Sequence, residues 1–140
     1  MDKENKSVYI LHEETMHWMN ELEFMNDEQL FLEHLLGSHF LELSSSELYD
    51  TTRKLIKKLK EVEKMGRALM DTIQLHNKHM ATMIESFQKE YNKSLDKEHL
   101  QIKKDFENYA LNFRYVKRKI FGIIKEIMKE HKQKLLINKM

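Results

Sequence analysis

Residues 48–87 read LYDTTRKLIKKLKEVEKMGRALMDTIQLHNKHMATMIESF. Alternating steps of four and three from Leu48 pass through Thr52, Leu55, Leu59, Val62, Gly66, Leu69, Ile73, His76, Met80, Met83 and Phe87. A mean step of about 3.5 held this long is the seam of a left-handed coiled coil or a long helical bundle, and no strand could produce it.

The same step organises both flanking segments. Upstream it runs Val8, Leu11, Thr15, Trp18, Leu22, Met25, Gln29, Leu32, Leu36. Downstream it runs Leu95, His99, Ile102, Phe106, Tyr109, Phe113, Val116, Ile120, Ile123, Ile127, His131. Apolar residues also flank each seam: Phe24, Phe31 and Leu35, then Ile56 and Met70, then Phe121, Ile124 and Met128. A two-stranded coil would not need them, whereas a helix touching two neighbours would.

The breaks are legible too. Gly37-Ser38 can end the first helix, and Ser44-x-x-Glu47 reads as a capping box opening the second. The polar run YNKSLDKE at 91–98, with Ser94 or Asn92 as cap, opens the third. The expectation is three helices near 5–36, 46–91 and 95–136, the last two roughly 60–70 Å long at 1.5 Å per residue. Short connections make neighbours antiparallel. The expected fold is therefore all-α: one domain over residues 1–140, an antiparallel three-helix bundle with two long helices and one shorter. Dimerisation could complete four helices.

Turns centred near 42 and 93 set an expected register. In it Trp18, Gly66 and Ile120 share one layer, and the glycine leaves room for the indole. Mid-helix glycine otherwise costs about 1 kcal/mol relative to alanine. The same register leaves the tip of the second hairpin uncovered by the first helix. Met80, Met83, Phe87, Leu95, Ile102 and Phe106 then form an exposed apolar stem, the expected interface with a second copy or a helical partner.

Composition supports a helical chain. The 140 residues include no Pro, no Cys and three Gly, with 34% charged. Without Cys there is no disulfide, thiolate nucleophile or Cys-based zinc site. No apolar run reaches the roughly 18 residues of a membrane helix, and MDKENKSVYIL at the start lacks a signal-peptide core. A cytoplasmic location is expected.

Net charge is +1 but unevenly spread. Residues 1–50 carry 12 acidic and 2 basic side chains, residues 51–70 carry 2 and 7, and residues 114–140 carry 2 and 9. Arg53, Lys54, Lys57 and Lys58, with Arg114, Lys117 and Arg118, could form a basic face for nucleic acid or an anionic surface. The alternative, favoured here, is that the acidic first segment lies against the two basic ones.

Catalytic signatures are missing: the glycines are isolated, and no Ser sits in a nucleophile elbow. Glu14-x-x-His17 has the spacing used by carboxylate-bridged di-metal bundles, and Asp96-x-x-His99 is its one partner. In the expected register Glu14 and His99 stand about 17 residues, on the order of 25 Å, apart and cannot share a metal. His76 and His79, three apart on one face, are the better pair for a transition metal. The favoured alternative is a buried polar residue setting register. No cofactor is expected.

The stretch HWMNELEFMNDEQLFLEHLL at 17–36 resembles the opening of a group of small bacterial helical proteins whose first helix reads Trp-x-x-Glu-Leu-x-Phe-x-x-x-Glu. The match lies in Trp18, Glu21, Leu22, Phe24 and Glu28, about a fifth of the chain. The resemblance implies a bacterial, all-helical protein and no particular activity. Together these readings point to a non-enzymatic bundle acting through protein contacts, with nucleic-acid binding and metal binding as alternatives.

Overall fold

The computed structural model describes residues 7–85 and 93–138. Four helices account for nearly all of them: α1 (Val8–Ser38), α2 (Phe40–Ser44), α3 (Tyr49–Glu85) and α4 (Lys93–Asn138). The described chain is all-α, and none of its helices is long and apolar enough to cross a membrane.

The seams read from the period are the buried lines of these helices. All nine residues of the α1 seam are buried. On α3 the buried set is Thr52, Leu55, Leu59, Val62, Leu69, Ile73, His76 and Met80, with Gly66 in line between Val62 and Leu69. On α4 the buried line ends at Ile127, and residues 128–138 are all exposed, His131 included.

Helix ends are set by local hydrogen bonds. Ser7 caps α1, its hydroxyl accepting from the Ile10 amide at 3.4 Å. Gly37 does not stop α1, which runs through it to Ser38. A short helix missed by the period, α2, follows at once. The capping box at Ser44 and Glu47 does not form: the buried Ser44 hydroxyl makes no hydrogen bond to the described residues. Ser46 supports the turn instead, accepting from the Leu48 amide at 3.0 Å and donating to the Leu43 carbonyl at 2.9 Å.

These ends change the register. Gln29 donates to Glu63 at 2.9 Å and to the Leu59 carbonyl at 3.3 Å, and the Thr15 hydroxyl lies 3.9 Å from the Met80 sulfur. The α1–α3 connection is thus centred about four to five residues later than expected, because α2 and the following turn lengthen it. Between α3 and α4, His76 meets His99 and Gly66 meets Tyr109, a centre about five residues earlier than expected.

Two expectations fall with the register. Trp18, Gly66 and Ile120 do not share a layer: the indole packs on His99 and Phe106, with centroids 4.5 and 6.2 Å away. Gly66 instead faces Tyr109, where a Cβ would lie 2.9 Å from the phenol oxygen and 3.0 Å from ring carbons. The exposed stem is also corrected. Val8 and Leu11 pack on Met80 and Leu95, with Met83 and Ile84 at the edge, so α1 covers these residues of α3 and α4. Met80, Leu95 and Ile102 are buried and Phe106 packs against the core. Phe87 lies outside the described residues.

Candidate functional site

The corrected register gathers four polar side chains that the sequence scatters. His76, in the α3 seam, and His99, in the α4 seam, are both buried. His76 Nε2 lies 2.9 Å from His99 Nδ1. The other His76 nitrogen, Nδ1, is hydrogen-bonded to the Glu98 carboxylate, which His79 Nδ1 also reaches at 3.3 Å. His99 Nε2 lies 2.9 Å from the Glu14 carboxylate. One continuous chain, Glu98–His76–His99–Glu14, therefore crosses from α4 to α3, back to α4 and on to α1. The two carboxylates that end it are partly exposed, while the imidazoles between them are not.

The expected separation of Glu14 and His99 is thereby overturned. Both register shifts act in the same direction, since α1 is aligned on α4 through α3, and together they bring the two residues into contact. Glu14 does this from the flank of the α1 seam, one residue before the buried Thr15, and Trp18 one turn later packs at a tilt against the His99 ring.

Electrostatics follow from burial and contact. Burial lowers the His76 pKa from its ordinary 6.5, and the Glu98 carboxylate opposes this without cancelling it. For Glu98, burial alone would raise the pKa. Hydrogen bonds and charge from His76 and His79 outweigh burial, and the carboxyl sits below its ordinary range. Among the described residues no group of three or more His, Asp or Glu side chains is arranged to hold a metal ion. Here His76 and His79 share one carboxylate, and His76 turns its second nitrogen to His99.

A second feature lies between α1 and α4. A groove of about 610 Å³ is bounded by His17, Glu21, Phe24 and Glu28 on one side and Leu111, Arg114 and Lys117 on the other. Phe24, Leu111, Phe31 and Phe121 are exposed by 63, 62, 53 and 41%. Just beyond the residues that line this groove, Phe31 of α1 and Phe121 of α4 meet with centroids 6.5 Å apart. Lys117 is ion-paired with Glu28 on the facing wall. The flanking aromatics singled out by the period are therefore only partly used by the chain itself.

The expected basic face is divided. Arg53, Lys54 and Lys57 line a shallow concavity on α3 with Asp50, and Arg53 also stands over the Tyr49 ring at 5.7 Å. Lys58 on α3 is half-buried. On α4, Arg114 and Lys117 belong to the α1–α4 groove, and Arg118 is exposed. Comparison of the chain with protein-family models, with curated proteins and with solved structures finds no match in any of the three.

Proposed function

We propose that the chain is an antiparallel three-helix bundle, non-enzymatic, that works by self-association along the α1–α4 groove. The observation that carries this reading is the set of exposed aromatic and aliphatic side chains in that groove, Phe24 and Leu111, and just beyond it, Phe31 and Phe121. A contiguous apolar strip flanked by charge is the surface a partner helix takes.

The partner is a second copy, on grounds of charge. Between Val8 and Ser38 there are seven acidic residues and no Lys or Arg. Between Arg114 and Asn138 there are eight basic residues and two acidic ones. Contacts of Glu28 with Lys117 and of Phe31 with Phe121 set the second half of α1, with Asp27, Glu28 and Glu33, level with the first part of the basic stretch of α4, with Arg114, Lys117, Arg118, Lys119 and Lys125. A two-fold axis parallel to the helices would lay the acidic α1 of each copy on the basic α4 of the other. Four helices would then enclose the aromatic strip. A two-fold perpendicular to the helices would put acid on acid and is disfavoured.

Light scattering coupled to sizing tests the reading. The intact chain is expected to be a dimer, and a variant carrying Phe31→Glu with Phe121→Glu a helical monomer. An intact chain that is monomeric at tens of micromolar overturns it. The alternative, binding of nucleic acid through Arg53, Lys54 and Lys57, predicts tight duplex-DNA binding with steep salt dependence in the intact chain. The metal alternative at His76 and His79 predicts a stoichiometric transition metal after untagged purification.

A further inference from the structure

The chain Glu98–His76–His99–Glu14 has four ring nitrogens and three contacts to satisfy. At each end a nitrogen faces a carboxylate and must carry a hydrogen to donate. Between the rings, one hydrogen must lie in the 2.9 Å gap from His76 Nε2 to His99 Nδ1. Two neutral imidazoles carry two hydrogens in all. With both carboxylates ionised, three hydrogens close every contact, so the pair holds one proton beyond neutrality. A fourth would set N–H against N–H and place two cations side by side in a buried site. With only two, one contact would lack its hydrogen.

We propose that the His76–His99 pair is a one-proton latch: a single excess proton closes α1 onto the α3–α4 hairpin, and either losing it or gaining a second one opens that contact.

The position of the cation follows from the surroundings. Both rings are buried, and for His76 burial outweighs the neighbouring Glu98 carboxylate and disfavours the imidazolium. If His76 stays neutral and donates from Nδ1 to Glu98, its Nε2 must accept. His99 must then donate from both nitrogens and is the imidazolium. Its ring lies 4.5 Å from the Trp18 indole, a face that attracts cations, and its Nε2 meets a carboxylate. Among the described residues, charged or titratable groups facing the pair include Glu14 from α1, His79 from α3 and Glu98 from α4.

The two limbs have opposite signs. The folded chain holds the shared proton through hydrogen bonds that the unfolded chain lacks. Its contribution to closure is present on the acid side of its release and lost as pH rises through it. His76 behaves in the other direction, because burial lowers its pKa from 6.5. As pH falls through about 6.5 the unfolded or opened His76 takes a proton that the closed one refuses, so closure weakens toward acid. Stability of the contact is therefore greatest in a window and falls on both sides. With one proton coupled, the opening equilibrium changes by up to about tenfold per pH unit on each limb.

Hydrogen exchange of the α1 backbone amides in residues 8–22 tests the latch. It is followed from about pH 5 into the alkaline range and corrected for intrinsic exchange. Protection is expected to peak and to fall on both sides in the intact chain. His99→Gln can hydrogen-bond but cannot hold a cation, and should abolish the alkaline limb while the acid limb set by His76 stays. Glu14→Gln removes the carboxylate at the α1 end with little change of shape. It should move the alkaline limb to lower pH and leave the acid limb in place, and it serves if His99→Gln does not fold. A pH-independent profile in the intact chain overturns the latch, as does an unchanged profile in Glu14→Gln. A profile abolished by a chelator also overturns it, since a bound metal rather than a proton would then join the rings.

Discussion

The two halves of the helical stack are held by different chemistry. In the half nearest α2, Leu32, Leu36, Leu43, Leu55, Leu59, Val116, Ile120 and Ile127 form a core mainly of hydrocarbon, and the buried Gln29 and Thr52 there each donate to a backbone carbonyl. In the half nearest the start of α1, the core is interrupted by Thr15, His76 and His99. Hydrocarbon burial is non-directional and indifferent to pH. A buried imidazole pair depends on the number of protons it holds, and on carboxylates from two helices being in place. The first half can tolerate a slip of position. The second favours one alignment of α1, α3 and α4, because the polar contacts are satisfied together or not at all.

Substitutions should separate the halves. The largest expected effect is in the hydrocarbon half. Leu59→Ala should cost about 2–5 kcal/mol in chemical denaturation, as truncation of a buried leucine usually does, and the cost should not vary with pH. A strongly pH-dependent cost would break the contrast between the halves.

At the boundary, Gly66→Leu should cost about 1–3 kcal/mol by overpacking against Tyr109, despite leucine's better helix propensity. If this variant melts higher than the parent, the close approach of Gly66 to the Tyr109 ring is wrong.

In the polar half, His76→Leu alone should cost on the order of 1–3 kcal/mol, because it leaves His99 Nδ1 and Glu98 without their shared partner. The double change His76→Leu with His99→Leu should recover most of that loss, and it should remove the weakening toward acid that begins near His76's ordinary 6.5. A double variant less stable than the single one would mean that the pair contributes net stability as well as alignment. The smallest effect on stability is expected beside the groove: Phe31→Glu, at an exposed position, should change it by less than about 0.5 kcal/mol while weakening self-association. A larger loss would place Phe31 in the core of the single chain.

The seams were legible because each rests on local information: a step of 3.5 needs only the nearest few residues to be seen. Trp18, Leu59 and Ile120 could be placed on buried lines without knowing what lay opposite. Register is different, since it depends on where each connection is centred. The segment FLELS is too short to show a period, and α2 forms there. A shift of a few residues at each of two turns accumulates along α1 and α4, which is why the expected register sets Glu14 and His99 far apart. The polar chain is hidden in the sequence for the same reason. Along the sequence His76 and His99 are isolated polar residues in separate seams. The signal that could have paired them was Glu98, an acid adjacent to a seam histidine, together with Glu14 beside another seam. The exposed groove was half legible: Phe24, Phe31, Phe121 and Met128 stood out as flanks, but which neighbour would cover them could not be read from a single period.

Trp18 is the one tryptophan in the chain, and it lies against His99. An excited indole passes an electron readily to an adjacent imidazolium and much less readily to a neutral imidazole. The protein therefore carries an intrinsic optical indicator of its buried proton. Emission from the unmodified chain should be dim while His99 is charged and should brighten as the ring is neutralised, before any unfolding shifts the spectrum to the red. Stopped-flow pH jumps read by that emission would give the rate at which a proton enters or leaves the interior, a quantity that equilibrium exchange of amides does not reveal.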